Sequence, residues 1–261
     1  MEYNMRTSRV LEKLRAGQVA TCFKINMSCM EVAEIAALSG FDCIWLDREH
    51  CVNGWQDIKA QILACKAYGA DTMVRVSRGP YSDYIKPFEM DATGILVPHV
   101  MSLAQAKELV YYTKFHPVGR RPIDGGNADG AYCFLDGGKY MQQANEQRFT
   151  VLQIEDPEPL AELEAIAELP GYDMLFFGPA DFSQGIGDPL NFDNQLLKAT
   201  RRRIAELAHK YGKFAATTGS AQNAAELIDM GYNFISMGAD VVGVGQYCTK
   251  ILEDYHKLTG R

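Results

Sequence analysis

The chain is predicted to fold as an α/β protein, a (β/α)8 or TIM barrel. Three observations predict it. Eight short apolar runs with strand character recur along the 261 residues, each followed by a stretch with helical spacing. The spacings are near regular and no shift in composition marks a boundary, so residues 1–261 are expected to form one domain. The rival, a doubly wound open sheet, normally carries Gly-x-Gly-x-x-Gly after its first strand, and that pattern is absent here. Gly243-Val-Gly245 falls inside a helical stretch and lacks the strand context.

The elements follow in order. Residues 9–16 read as a short helix suited to plug one end of a barrel, and residues 19–25 as the first strand. Residues 31–38 are helical and end at Ser39-Gly40; residues 43–46 form a buried second strand that stops on Asp47. A helix over 55–68 is stopped by Gly69, and residues 72–76 make the third strand. The helix over 81–90 contains Pro87, which is expected to kink or shorten it. Strand four spans 94–98 and its helix 103–113. Strand five (149–155), a helix over 157–169 and strand six (173–177) form a βαβ unit, so both strands are parallel. A helix over 192–211, strand seven (213–217), a helix over 221–230, strand eight (233–237) and a last helix over 241–258 complete the count. Residues 116–139 break the rhythm. They are long, glycine-rich and without period, and are expected to cover the barrel mouth or reach a neighbouring subunit.

Composition narrows the function. A net charge of −7 argues against nucleic acid or an anionic membrane as partner, and no apolar run is long enough to span a bilayer. The first residues, Met1-Glu-Tyr-Asn-Met-Arg6, lack the layout of a signal peptide. Seven scattered cysteines with no Cys-x-x-Cys fit a reducing cytoplasm rather than a disulfide framework.

Several strands stop abruptly on an acid. Strand five ends at Glu155, and strand six at Gly178-Pro179 and then Asp181. On adjacent parallel strands both acids fall at the carboxyl end of the sheet, where such folds place their chemistry. Two carboxylates side by side suit a hard divalent cation such as Mg²⁺ or Mn²⁺. Each acid alone reads rather as the N-terminal acid of the next helix; the pair at adjacent strand ends favours the cation. Gln153, two residues before Glu155, shares its face. The helix opening at Pro179 offers the free amides of Ala180 and Asp181 to a carboxylate. At the end of strand two, Asp47 precedes His50 by three residues and is placed to orient it as a base, or else caps a helix while His50 lies on the surface. Arg75 sits in an apolar strand, where a guanidinium needs an anion: either Glu49 or another rim acid, or the oxygen of a keto acid. His99 ends strand four and stands at the mouth; His116, His209 and His256 read as surface residues. Lys24 ends strand one and is a weak candidate for Schiff-base chemistry.

Gln153-Ile154-Glu155 with Phe177-Gly178-Pro179-Ala180-Asp181-Phe182-Ser183 resembles the signature of the HpcH/HpaI aldolase family. These are metal-dependent (class II) pyruvate aldolases, among them 4-hydroxy-2-oxoheptanedioate aldolase and 2-dehydro-3-deoxyglucarate aldolase. The resemblance extends from about Val10 to Leu258. Leu46, Asp47, Glu49 and His50 match the family's Leu-Asp-x-Glu-His, with Arg48 where glycine is usual. It implies a divalent ion (Mg²⁺, Mn²⁺ or Co²⁺) on Glu155 and Asp181, acting as a Lewis acid on a 2-oxo acid. It further implies an Arg75 that shares the developing charge, a His50–Asp47 dyad that moves the proton, Gln153 on substrate or water, and the substrate carboxylate at the amides of Ala180 and Asp181. The expected reaction joins or splits a 4-hydroxy-2-oxo acid to or from pyruvate and an aldehyde. The resemblance also implies a homo-oligomer, a hexamer or its trimer building block, with the C-terminal helix on a neighbour and Glu89 or Asp91 near the contact. Arg121-Pro122-Ile123-Asp124-Gly125 replaces the usual Arg-Gly-Val-Gly-Ser, and Thr217-Thr218-Gly219 replaces a more apolar stretch. Those departures leave open a decarboxylase or CoA-ester lyase on the same site, or a keto-acid-binding barrel without catalysis.

Overall fold

A computed structural model describes residues 3–260; residues 1, 2 and 261 of the expected domain span lie outside the described residues, as do Met1 and Glu2 of the leader reading. In chain order the elements are α1 (Arg9–Arg15), β1 (Ala20–Ile25), α2 (Met30–Leu38), β2 (Cys43–Asp47), α3 (Trp55–Ala67), β3 (Asp71–Arg75), α4 (Tyr81–Glu89), β4 (Gly94–Val97) and α5 (Leu103–Thr113). Then follow α6 (Gly137–Gln147), β5 (Phe149–Ile154), α7 (Leu163–Glu168), β6 (Met174–Phe177), α8 (Pro179–Gly185), α9 (Gln195–Lys210), β7 (Phe214–Gly219), α10 (Ala224–Asp229), β8 (Phe234–Ala239) and α11 (Asp240–Thr259). The eight strands pair in sequence order and close, β8 running parallel to β1. The expected (β/α)8 barrel is therefore borne out.

Strand periodicity divides the core into two layers. Ala20, Cys22, Cys43, Trp45, Met73, Leu96, Phe149, Val151, Met174, Phe176, Ala216 and Phe234 fill the barrel interior, together with Val10, Leu11 and Leu14 of α1. Helix α1 thus plugs the amino end, as its apolar spacing predicts. Phe149 covers its register partner on β4 so closely that a Cβ on Gly94 would lie 1.9 Å from its ring. The alternate residues, Ile25, Ile44, Leu46, Val74, Ile95 and Leu175 among them, meet the surrounding helices. Burying both faces is what makes these strands continuous apolar runs.

The segment over 116–139 departs from expectation in two ways. Residues from Gly137 onward belong to α6, capped by Asp136, whose Oδ1 accepts from the amides of Gly138 and Lys139. Two glycines in the first turn disguise this helix. The segment also lies at the amino end of the barrel, because it links the end of a helix to the start of a strand. There Asp129 accepts from Arg148 Nε at 2.7 Å and from Arg121 at 3.0 Å, and Arg148 reaches Asp91 at 2.6 Å. It therefore does not cover the mouth at the carboxyl end. The helix expected over 157–169 is broken into a 3-10 turn, Glu158–Ala161, and α7. No helix among the described residues is long and apolar enough to cross a membrane. All seven cysteines are free.

Candidate active site

Above the packed interior, the inward positions of the strands become polar. Lys24, Arg75, Gln153, Thr218 and Ser236 succeed apolar residues two positions earlier on β1, β3, β5, β7 and β8. With Trp45, His50, Glu155, Gly178, Ala180 and Asp181 they line a cavity of about 290 Å³ at the carboxyl end. Of the residues singled out in the sequence, Lys24, His50, Arg75, Gln153, Glu155, Ala180 and Asp181 meet at this cavity; Asp47 lies just beneath its wall, and His99 stands behind Glu155 rather than on the lining.

Glu155 is 1% exposed. Its Oε1 accepts the His99 amide at 3.0 Å, and its Oε2 accepts from Gln153 Nε2. Burial raises its pKa to about 7, opposed by the His99 amide and imidazole and reinforced by the charges of Glu49 and Asp181. Gln153 Oε1 is buried without a hydrogen-bond partner. Gly178 allows this packing: a Cβ there would sit 2.5 Å from Glu155 Oε2.

Asp47 is fully buried, and its Oδ1 accepts the Glu49 amide at 3.0 Å. Arg75 Nε reaches its Oδ1 at 2.9 Å, Arg75 also grips its Oδ2, and Lys24 Nζ lies 2.9 Å from that oxygen. Burial alone would raise the Asp47 pKa; the guanidinium and the ammonium override it and hold the carboxyl well below the usual range. Arg75 also pairs with Glu49 at 3.0 Å and lies over the Trp45 ring. So the rim-acid pairing weighed for Arg75 is present, and the residue still faces the cavity. His50, with 57% of its side chain exposed, has Nε2 3.5 Å from Glu49 Oε2. The expected Asp47–His50 dyad is thus replaced by a Glu49–His50 contact, because the two cations have taken both Asp47 oxygens. Neither of the two acids expected near a subunit contact is bare: Asp91 is buried against Arg148 and Lys66, and Glu89 is half-buried at the amino end of the barrel with a pKa raised by burial.

His99 is the residue whose importance spacing understated. Its Nδ1 lies 2.8 Å from Asp156 Oδ2, and its Nε2 lies 3.6 Å from Glu49 Oε1. Burial alone would lower its pKa, but the Asp156 hydrogen bond and the charges of Glu155, Asp156 and Glu49 raise it. The available signal was a histidine directly after a strand end, next to an Asp156 that itself follows Glu155.

A sequence profile of the HpcH/HpaI aldolase/citrate lyase family matches residues 22–245. The chain belongs to the HpcH/HpaI aldolase/citrate lyase family. It is 31% identical over 236 residues to a 2-keto-3-deoxy-L-rhamnonate aldolase of Salmonella schwarzengrund (strain CVM19633), covering 88% of this chain and 86% of that protein. An HpcH/HpaI aldolase from Desulfitobacterium hafniense DCB-2 shares the fold with a TM-score of 0.90, 21% identity and coverage of 96% and 97%. The citrate synthase SbnG does so with a TM-score of 0.86, 24% identity and coverage of 96% and 98%. The expected enzyme class, a carbon–carbon lyase of the aldolase type, is borne out by this membership.

The donor set of this HpcH/HpaI member suits a hard divalent cation. Glu155 is a buried carboxylate pushed toward its neutral form, with a second acid on the same wall and the orphaned Gln153 Oε1 beside it. A cation would relieve that repulsion. Among the described residues, no group of three or more His, Cys, Asp or Glu side chains is arranged to hold a metal ion. Two carboxylates with the remaining positions open to substrate or water is the pattern Mg²⁺ favours.

Proposed function

We propose that the chain is a divalent-metal-dependent aldolase that joins or splits a 4-hydroxy-2-oxo acid to or from pyruvate and an aldehyde. The observation that carries the reading is one cavity with Glu155 just past β5, Asp181 in the first turn of α8 after β6, and the cations Lys24 and Arg75 on β1 and β3. Glu155 and Asp181 would hold Mg²⁺, Mn²⁺ or Co²⁺. When bound, the ion supplies Lewis-acid pull on the 2-oxo oxygen of the substrate. Arg75, kept rigid by Asp47 and Glu49, has further N–H groups for the charge that builds on that oxygen as the C3–C4 bond breaks. His50, beside Glu49, takes the proton of the 4-hydroxyl, and the electron pair of the C4–C3 bond remains with the three-carbon fragment. Gln153 and the amides of Ala180 and Asp181 orient the 2-oxo acid. The name of the Salmonella relative and the polar wall of Thr218 and Ser236 support a sugar-derived 2-oxo acid as substrate.

The barrel acts as one domain of a homo-oligomer, a hexamer or its trimer building block. Helix α11 supports this: Val242, Tyr247, Ile251, Leu252 and Leu258 are all more than half or half exposed, and its one buried residue is Asp240. Seven free cysteines and the charge of −7 support a cytoplasmic protein that works on small molecules without nucleic acid or membrane.

The test is a screen of aldehydes with pyruvate in Mg²⁺, Mn²⁺ or Co²⁺, reading new carbon–carbon products. A product that depends on metal is expected. No product with any aldehyde argues against the aldolase, and full turnover in excess chelator argues against the metal.

A further inference from the structure

His99 stands just beyond β4 with a backbone φ of +49°, in the left-handed region. L-residues other than asparagine, aspartate and histidine rarely adopt it. That twist turns the His99 N–H onto Glu155 Oε1 at 3.0 Å. The ring lies between two further acids, Nδ1 2.8 Å from Asp156 Oδ2 and Nε2 3.6 Å from Glu49 Oε1. Glu49 in turn is held by Arg75 at 3.0 Å. The hydrogen bond to Asp156 anchors the imidazole, with Glu49 as a further acid near Nε2, and the left-handed backbone presents its amide to Glu155. With Gln153 Nε2 on Oε2, each Glu155 oxygen has one fixed donor, and the carboxylate cannot swing freely.

We infer that His99 is a positioning residue that fixes Glu155 for cation binding through its left-handed main-chain amide, the ring serving to brace that conformation. This rests on the reading of Glu155 as a cation ligand. It separates two contributions that an ordinary side-chain role would merge. Glycine enters the left-handed region without penalty, alanine at a cost, and a β-branched valine at a larger one. If the amide is what matters, cation affinity follows backbone conformation and not side-chain size.

The experiment is a Mn²⁺ titration of the full chain, with free Mn²⁺ read by electron paramagnetic resonance, on wild type, His99→Gly, His99→Ala and His99→Val. Circular dichroism checks that each variant folds. Wild type is expected to bind most tightly, His99→Gly next, and His99→Ala weaker than His99→Gly by about five- to thirtyfold, from the cost of the left-handed region to an L-residue. His99→Val is expected to be the weakest; should it fail to fold, the glycine–alanine comparison still decides. Alanine binding as tightly as glycine, or more tightly, overturns the inference while leaving the cation reading intact. Wild type that takes up no Mn²⁺ overturns both.

Discussion

Arg75 holds Asp47 by two guanidinium nitrogens, Nε lying 2.9 Å from Oδ1 and a second nitrogen against Oδ2. Lys24 completes the shell, so Asp47 is committed to two cations rather than to His50. A buried carboxylate in this setting is a fixed anchor for Arg75.

A double-mutant cycle distinguishes that anchor from a histidine dyad. Asp47→Ala with His50→Ala is expected to be additive within about 0.5 kcal/mol, and Asp47→Ala with Arg75→Ala to couple by at least about 1 kcal/mol. The readout is kcat/KM for C3 proton exchange of pyruvate. Strong coupling of Asp47 to His50 would restore the dyad.

The pH dependence follows from Glu155. Its pKa is raised by burial to about 7, so in the metal-free protein the neutral acid persists well above the ordinary carboxylate range. A cation then has to displace a proton, and Mn²⁺ affinity is expected to rise about tenfold per pH unit below about 7 and to level off above it. By the same shift, the contribution of Glu155 to the stability of the metal-free chain is fully present at acid pH and is lost as pH rises through about 7. Calorimetry across pH 5 to 9 checks both signs.

Gly178 gives a steric test. An added Cβ would press on Glu155 Oε2 and on Gln153 Nε2, at 2.5 and 2.9 Å. Gly178→Ala is expected to weaken Mn²⁺ binding by about 10- to 100-fold, the range seen when the groups around a metal ligand are disturbed. Equal affinity in a folded variant would mean that the Glu155 orientation does not matter.

Arg148 tests the amino end of the barrel. It is buried and joins Asp91 to Asp129. Arg148→Met leaves two buried carboxylates short of a partner and is expected to cost about 3 kcal/mol in urea unfolding. Activity per folded molecule should persist, because the network lies at the end opposite the cavity.

The barrel was legible because its strands are buried on both faces and its helices are amphipathic, two periods that a sequence displays openly. That Arg75, Gln153 and Glu155 line the cavity could be read for a related reason: polar residues at the carboxyl end of an apolar strand point to the barrel mouth, and Asp181 follows from the Gly-Pro break that opens α8 there. The partner of Asp47 was not legible. Proximity along the chain pointed to His50, whereas register sets Asp47 beside Arg75 across β2–β3, and Lys24 reaches the same carboxylate from β1. Helix α6 was hidden by Gly137 and Gly138, whose poor helix propensity is offset by the Asp136 cap. His99 was underrated because its role depends on a backbone twist that composition does not reveal.

In the proposed reaction Glu155 and Asp181 share a cation that lets a bound 2-oxo acid carry negative charge. Its most direct test is deuterium exchange at C3 of pyruvate in D₂O, followed by proton NMR, for wild type, Glu155→Gln and Asp181→Asn with and without Mn²⁺. Exchange by wild type is expected to require the ion, with near-complete loss in both variants. Exchange that is equally fast in chelator, or that survives in both variants, would contradict it.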